Sequence, residues 1–131
     1  MNILVNGSAG QGIQLLSLVL ANILKDNEYN VALTSEYSPL MRSGDSIVRI
    51  VFDRGKIENP IPEDSDIEYD LNEAKLQSEL LKKYSNEKVI NMTLIGVISK
   101  KLKLKINNAE KYLPKKFLKE NLEAIKKGYE T

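Results

Sequence analysis

In the stretch ILVNGSAGQGI, residues 3–13, a short apolar run leads through a glycine-rich turn into a helix. The apolar run Ile3–Val5 is typical of a buried strand, and we expect this strand to end at Asn6-Gly7. After the turn, apolar residues recur every three or four positions, which predicts a helix that ends near residues 25–27. A strand, a tight turn and a helix in this order are the opening of an α/β fold.

The remainder of the chain continues without a linker or a repeat. We expect further strands and helices in this order: strands at 31–34, 46–52 and 66–71, then helices over 72–84, from Asn91 onward and over 108–127, the last of these broken by Pro114. Asn91 is predicted to be a helix N-cap, and Gly128 to follow the last helix at its C′ position. Gly96, inside an apolar helix, costs about 1 kcal/mol relative to alanine unless close packing requires it. We therefore predict a single α/β domain over residues 1–131, with a three-layer-like mixed sheet flanked by helices and a Rossmann-like opening.

The composition excludes several classes of chemistry. The chain has 131 residues, of which 42% are hydrophobic and 28% charged, and it contains no cysteine and no histidine. A cysteine nucleophile, an iron–sulfur cluster or thiolate zinc site ligated by this chain, and Ser-His-Asp catalysis are therefore excluded. We expect no catalytic residue and no metal ligand here, so any chemistry is shared with another chain.

The charge balance bears on partners and location. A net charge of +1 provides no global field for a polyanion, so nucleic acid is disfavoured as a partner. No segment reaches the roughly 20 apolar residues that a membrane-spanning helix needs. We expect a cytoplasmic protein without a membrane partner.

The glycine-rich turn is the first candidate binding site. Gly7, Gly10 and Gly12 remove side chains around it, and the backbone N–H groups after Gly10 are expected near a positive helix end. Such a turn can receive an anion or the backbone of a partner. Gln11 is expected to present its amide at an exposed rim. The alternative is a tight turn that only lets strand and helix pack closely, and Ala9 stands where a dinucleotide fingerprint requires glycine.

A polar segment between two predicted strands, residues 35–46, is the second candidate. Glu36, Tyr37, Arg42 and Ser43 could together orient an anionic or acyl ligand, with Arg42 providing a bidentate fork. The alternative is a Glu36–Arg42 ion pair that only shapes the loop. We expect Gln11 and Arg42 to lie on one surface that contacts another polypeptide, because loops at strand ends are where sites collect in α/β sheets.

Both segments resemble the gamma subunit, or gamma domain, of the 2-oxoacid:ferredoxin oxidoreductases of the pyruvate, 2-oxoglutarate, 2-oxoisovalerate and indolepyruvate types. The G-x-G-G-Q-G turn of that family is matched by Gly7, Gly10, Gln11 and Gly12, with Ala9 in place of one glycine. Its E-Y-G-P-E-M-R-G-G loop is matched by Glu36, Tyr37, Pro39, Met41, Arg42 and Gly44, whereas Ser38, Leu40 and Ser43 differ. Further matches are Asn91, Met92, Gly96, Asn121 and Gly128, and the middle of the chain looks shortened.

The resemblance implies a fold of the pyruvate–ferredoxin oxidoreductase domain III type and a subunit of a larger enzyme that is inactive alone. The enzyme would convert a 2-oxoacid to acyl-CoA with thiamine diphosphate, coenzyme A and 4Fe-4S clusters held in the complex. The implied partners are alpha and beta subunits, with delta as a further candidate, and ferredoxin through the complex. Contacts to the cofactor entrance would come from Gly7, Gly10, Gln11, Gly12, Glu36, Tyr37, Arg42 and Gly44.

Other interpretations remain open at this point. The turn at Gly7–Gly12 could belong to a stand-alone nucleotide- or phosphate-binding module. The chain could also be a degenerate, non-catalytic paralogue that only stabilises a complex, and a homodimer is compatible with Tyr112 and Leu118 as contact residues. The sequence does not identify the 2-oxoacid.

Overall fold

The computed structural model describes residues 1–8, 10–36 and 45–130. Within these residues, four strands and one helix make up about the first half of the chain, and helices make up most of the second half. Their bounds are β1 (Asn2–Ser8), α1 (Ile13–Asp26), β2 (Asn30–Glu36), β3 (Asp45–Asp53), β4 (Ile67–Asp70), α2 (Ala74–Lys83), α3 (Ile90–Lys101) and α4 (Leu118–Tyr129), with short 3₁₀ turns at Glu87–Val89 and Ala109–Tyr112.

The four strands of the described residues form one mixed sheet with the order β2-β3-β1-β4. β3 runs antiparallel to both β1 and β2, and β4 runs parallel to β1. The mixed sheet with flanking helices confirms the predicted fold class. The predicted end of β1 at Asn6-Gly7 is wrong, because pairing with β3 continues the strand to Ser8, which lies opposite Asp45.

The hydrophobic core lies between one face of the sheet and the helices. Side chains of β1 alternate between buried and half-buried, as expected for a strand with one face on the core. α1 packs on β1, β2 and β3, and α3 packs on both α1 and α4. The largest fully buried side chains include Leu16 and Leu20 of α1, Ile50 of β3 and Leu94 of α3.

α3 and α4 cross at two glycines. A Cβ on Gly96 would collide with the carbonyl oxygen of Ile125, and one on Gly128 would collide with that of Thr93. The expectation that Gly96 serves close packing is therefore confirmed. The expectation that Gly128 follows the last helix is wrong, since this residue lies inside α4 and lets the two backbones touch.

The start of α3 also differs from the prediction. The helix begins at Ile90, directly after a 3₁₀ turn, and its N-cap is Val89. Asn91 is therefore not an N-cap, and its side-chain Nδ2 donates instead to the backbone oxygen of Gly12, at 3.1 Å.

None of the helices in the described part of the chain has the length and apolar character that a bilayer-spanning segment requires.

We predict that Gly96→Ala lowers the free energy of unfolding by about 1–3 kcal/mol, measured by urea unfolding. The added Cβ meets the Ile125 oxygen, Tyr129 N at 2.7 Å and the Gly128 carbonyl carbon at 2.9 Å, and backbone atoms cannot rotate away. This cost exceeds the gain of about 1 kcal/mol in helix propensity. Gly55→Ala is the control, because no heavy atom of the described residues lies within 4 Å of its added Cβ. Equal stabilities of the two variants would contradict the close crossing.

Candidate functional site

The candidate site lies at the edge of the sheet where three parallel-running strands end. β1 ends at Ser8, β2 at Glu36 and β4 at Asp70, and the antiparallel β3 begins at the same edge with Asp45. Sites of open α/β sheets form at the carboxyl ends of their strands, because the connecting loops converge there. The fold therefore brings the glycine-rich turn and both ends of the segment 37–44 to one edge.

The three glycines around the turn differ in backbone conformation and in surroundings. Gly10 and Gly12 adopt left-handed backbone angles, with φ values of +88° and +66°, which side chains disfavour. Gly7 instead lies in β1, where a Cβ would collide with Ile13 and would come within 2.8 Å of Gln11 Oε1. Gly10 is exposed, and no heavy atom of the described residues lies within 4 Å of where its Cβ would be. The backbone at Gly10 is thus accessible to another molecule.

Gln11 does not present a free amide at a rim, so that expectation is wrong. Its Oε1 accepts the backbone N–H of Ser8 at 2.6 Å, and its Nε2 donates to the Leu71 carbonyl at 3.2 Å. Its own backbone N–H donates to the carbonyl of Ser8 at 3.1 Å. The hydrogen bonds of Gln11 therefore lie within the chain. They fix the shape of the turn and connect the end of β1 to the residue after β4.

Gly12 is the N-cap of α1 and meets α3. The first helical bond of α1 runs from the Leu16 N–H to the Gly12 oxygen, at 2.9 Å, so the N–H groups of the first turn have no intrahelical acceptor. Among the described residues no side chain caps this helix, and its first turn contains no acidic residue. The positive end of α1 is therefore available to an anion. A Cβ on Gly12 would collide with Asn91 Nδ2.

Three predicted site residues, Tyr37, Arg42 and Gly44, lie outside the described residues, and Glu36 is placed as the last residue of β2. The strand ends that flank them are tied to the turn region. Gln14 Nε2 lies 3.2 Å from the Ser35 hydroxyl, and the Ser8 hydroxyl lies 3.3 Å from the Asp45 carboxylate. The predicted proximity of Gln11 and Arg42 stays a prediction, and the flanking strands support it.

Sequence reasoning missed a cavity that the glycine-rich turn shares with two later helices. The cavity has a volume of about 520 Å³ and is lined by residues 10–12 of the turn. Its lining also includes Lys88, Lys116, Phe117 and Asn121. These residues come from the 3₁₀ turn before α3 and from the start of α4, regions that were interpreted as solvated faces or core. A spacing pattern within each helix cannot show that the starts of distant helices meet.

One tyrosine near the site edge has a shifted pKa. Burial of Tyr69, a half-buried residue of β4, raises the pKa of its hydroxyl above the ordinary value, so this group is neutral at physiological pH.

Within the described residues no three acidic side chains come close enough together to hold a metal ion.

Comparison with known proteins agrees with this geometry. The sequence profile of the pyruvate ferredoxin/flavodoxin oxidoreductase family matches residues 2–76, more than half of the chain. The chain belongs to this family. No curated protein shows significant sequence similarity to the chain.

Solved structures with the same fold include the gamma subunit of a keto/oxoacid ferredoxin oxidoreductase from Geobacter sulfurreducens, with a TM-score of 0.71 and 16% identity. That match covers 98% of this chain and 93% of the other. A pyruvate oxidoreductase subunit from Thermotoga maritima matches with a TM-score of 0.58 and 17% identity, over 98% of this chain and 94% of its own.

The 2-oxoglutarate:ferredoxin oxidoreductase of Magnetococcus marinus, solved with 2-oxoglutarate, coenzyme A and succinyl-CoA bound, also has this fold. The TM-score is 0.72 and the identity 16%, over 98% of this chain but only 30% of that one. The fold of the present chain therefore occurs both as a separate subunit and as part of a longer chain.

We predict that Gln11→Glu lowers the free energy of unfolding by about 1–3 kcal/mol, because a carboxylate would replace the donor that faces the Leu71 oxygen. The measurement is urea unfolding near neutral pH. Gln14→Glu is the matched control. Gln14 is exposed, and its partner Ser35 can donate to a carboxylate, so we expect a change within about 0.5 kcal/mol. If Gln11→Glu is as stable as the control, the amide does not hold the turn.

Proposed function

We propose that this chain is the gamma-type subunit of a multi-subunit 2-oxoacid:ferredoxin oxidoreductase. The family match over residues 2–76 supports an oxidoreductase role. The shared fold with a gamma subunit, over 98% of this chain and 93% of that subunit, supports a separate-subunit role. In the proposed complex, a 2-oxoacid and coenzyme A would yield acyl-CoA, carbon dioxide, a proton and two electrons, and 4Fe-4S clusters on the partner chains would carry these electrons singly to ferredoxin.

The observation that carries this proposal is the accessible backbone of Gly10 beside an internally fixed turn. Gln11 uses its amide within the chain, so the turn keeps its shape without a partner. At Gly10 no side chain covers the backbone, so another chain or a ligand can approach its peptide groups at the sheet edge. Such a surface suits a docking role, in which the chain contributes shape and hydrogen-bonding groups to a site completed by others.

The proposed division of labour follows from the side chains that the chain lacks. Without histidine or cysteine, it has no neutral-pH proton shuttle of the usual kind and no thiolate for a cluster. We assign thiamine diphosphate and the clusters to the alpha, beta or delta partners. The entrance for coenzyme A would be formed with the turn and with the loop that contains Tyr37, Arg42 and Gly44. Arg42 would pair with an anionic group there.

The test is co-purification followed by ferredoxin reduction. We expect the affinity-tagged full chain, extracted under native conditions from its own cells, to bring alpha and beta subunits with it. The purified complex should reduce ferredoxin with coenzyme A and one of several 2-oxoacids, with pyruvate and 2-oxoglutarate tested first. A chain that is recovered alone would contradict the proposal, and a complex without activity would indicate a non-catalytic paralogue.

We predict that Arg42→Ala lowers the rate of ferredoxin reduction by the complex about tenfold or more, the size expected when one charge-assisted hydrogen bond is lost. Arg54→Ala is the matched control. Arg54 lies after the other end of β3, where its guanidinium carbon is 4.3 Å from the centroid of the Tyr29 ring and its Nη1 donates to the Asn27 carbonyl. A similar rate for both variants would remove Arg42 from the proposed site.

A further inference from the structure

β2 is an edge strand of the sheet, because β3 is its one strand neighbour among the described residues. It is seven residues long, and residues 30–35 include neither a charged residue nor a proline. Its pairing with β3 runs in continuous register, without a bulge. Charge, proline, a bulge or short length commonly protects an edge strand from pairing with another chain, and β2 has none of these. The opposite edge, β4, has only four residues and exposes the acidic side chain of Glu68.

The hydrogen bonds on the far side of β3 show which backbone groups of β2 face outward. The Met1 nitrogen donates to the Phe52 carbonyl and the Phe52 N–H donates to the Met1 carbonyl, both at 2.9 Å. The even-numbered residues of β3 therefore direct their backbone groups to β1, and the odd-numbered ones direct theirs to β2, opposite residues 30, 32, 34 and 36. The N–H and C=O groups of Val31, Leu33 and Ser35 then point away from the sheet.

Two exposed leucines lie beside this edge. Leu33 of β2 is 40% exposed, and Leu18 of α1 is 54% exposed. The side chains of Gln14 and Ser35 are in contact, at 3.2 Å. Since α1 returns antiparallel to β2, one helical turn from Gln14 and two strand residues back from Ser35 cover the same distance, about 6 Å, and lead to Leu18 and Leu33. The two leucines therefore form one apolar patch next to unpaired backbone groups, and burial of both would be favourable.

A second copy of this chain fits the edge. Around a twofold axis, the same surface of two copies meets itself, and a strand pairs antiparallel with its own copy. With the axis at Leu33, the midpoint of β2, all seven residues pair and Leu33 lies opposite Leu33 of the second copy. No like charges meet along residues 30–35, because none of them is charged. At the β4 edge, by contrast, self-pairing would bring Glu68 and Asp70 close to the acidic residues of the copy.

We propose that two copies of this chain associate through β2 and join their four-stranded sheets into one continuous sheet. The outward backbone groups of Val31, Leu33 and Ser35 pair with those of the second copy, and Leu18 of each copy packs over the central leucine pair. The inference does not rest on the proposed subunit role, because this edge uses no residue of the glycine-rich turn. It also differs from a contact through Tyr112, whose hydroxyl donates to Asp26 within the chain.

The first experiment is sedimentation equilibrium of the purified full chain and two lysine variants. We expect a concentration-dependent dimer. Leu33→Lys brings two ammonium groups together at the axis and should raise the dimer dissociation constant about tenfold or more. Ile61→Lys is the matched control, because Ile61 is also an exposed apolar residue, at 62%, but lies between β3 and β4. It should dimerise as the natural chain does.

Leu33→Cys tests the position of the axis. The chain contains no cysteine, so a disulfide in this variant can form only between two copies. Opposed residues of a hydrogen-bonded antiparallel pair have Cα atoms about 5.5 Å apart, within the range of about 4.4–6.8 Å that a disulfide spans. We expect mild oxidation to give a covalent dimer on a denaturing gel. Ile61→Cys, treated in the same way, should stay mostly monomeric.

Three results would overturn the proposal. These are a full chain that stays monomeric up to millimolar concentration, equal dimer affinities for Leu33→Lys and Ile61→Lys, and as much covalent dimer from Ile61→Cys as from Leu33→Cys. Circular dichroism checks the folding of each variant, and if Leu33→Lys fails to fold, the cysteine pair decides. None of these results changes co-purification with alpha and beta subunits, so the two proposals fail separately.

Discussion

The amide of Gln11 joins the ends of two parallel strands, and the geometry of the whole sheet edge depends on it. The amide oxygen accepts the backbone N–H of Ser8 at the end of β1, and the amide nitrogen donates to the carbonyl of Leu71, just beyond β4. The Leu71 oxygen receives a second amide from Gln77, at 2.6 Å, which ties α2 to the same point. Buried polar groups are stable when their partners are all present, so this network holds the turn in one shape.

The fixed turn at the start of α1 borders both the edge of the sheet and a cavity. On the sheet side, Gly10 is exposed beside the ends of β2 and β3, where the segment 37–44 leaves and returns. On the helix side, Gly12 contacts Asn91 and opens onto the cavity among α1, α3 and α4. Gly10 and Gln11 also line this cavity, so the exposed turn and the cavity form one continuous surface.

Local periodicity predicted most of the fold. The α1 pattern, the three later strands and the helices of the second half appear close to their expected positions, because each depends on which side chains face one common core. The departures lie where distant segments pair. β1 reaches Ser8 because β3 lies beside it, Asn91 bonds to Gly12 instead of capping α3, and Gly128 lies inside α4 because α3 crosses there. None of these three contacts leaves a signal within its own stretch of sequence.

The sequence by itself determined the α/β class, the glycine-rich turn and the absence of histidine and cysteine chemistry, because these follow from residue type and short-range spacing. It also marked Gly7, Gly10, Gln11 and Gly12, although it assigned Gln11 the wrong role. Only the tertiary structure decided that the Gln11 amide faces inward and that the starts of three helices meet. The physical reason is that hydrogen bonds and helix fields act over a few ångströms in space, and residues as far apart as Gly12 and Asn121 become neighbours only after folding.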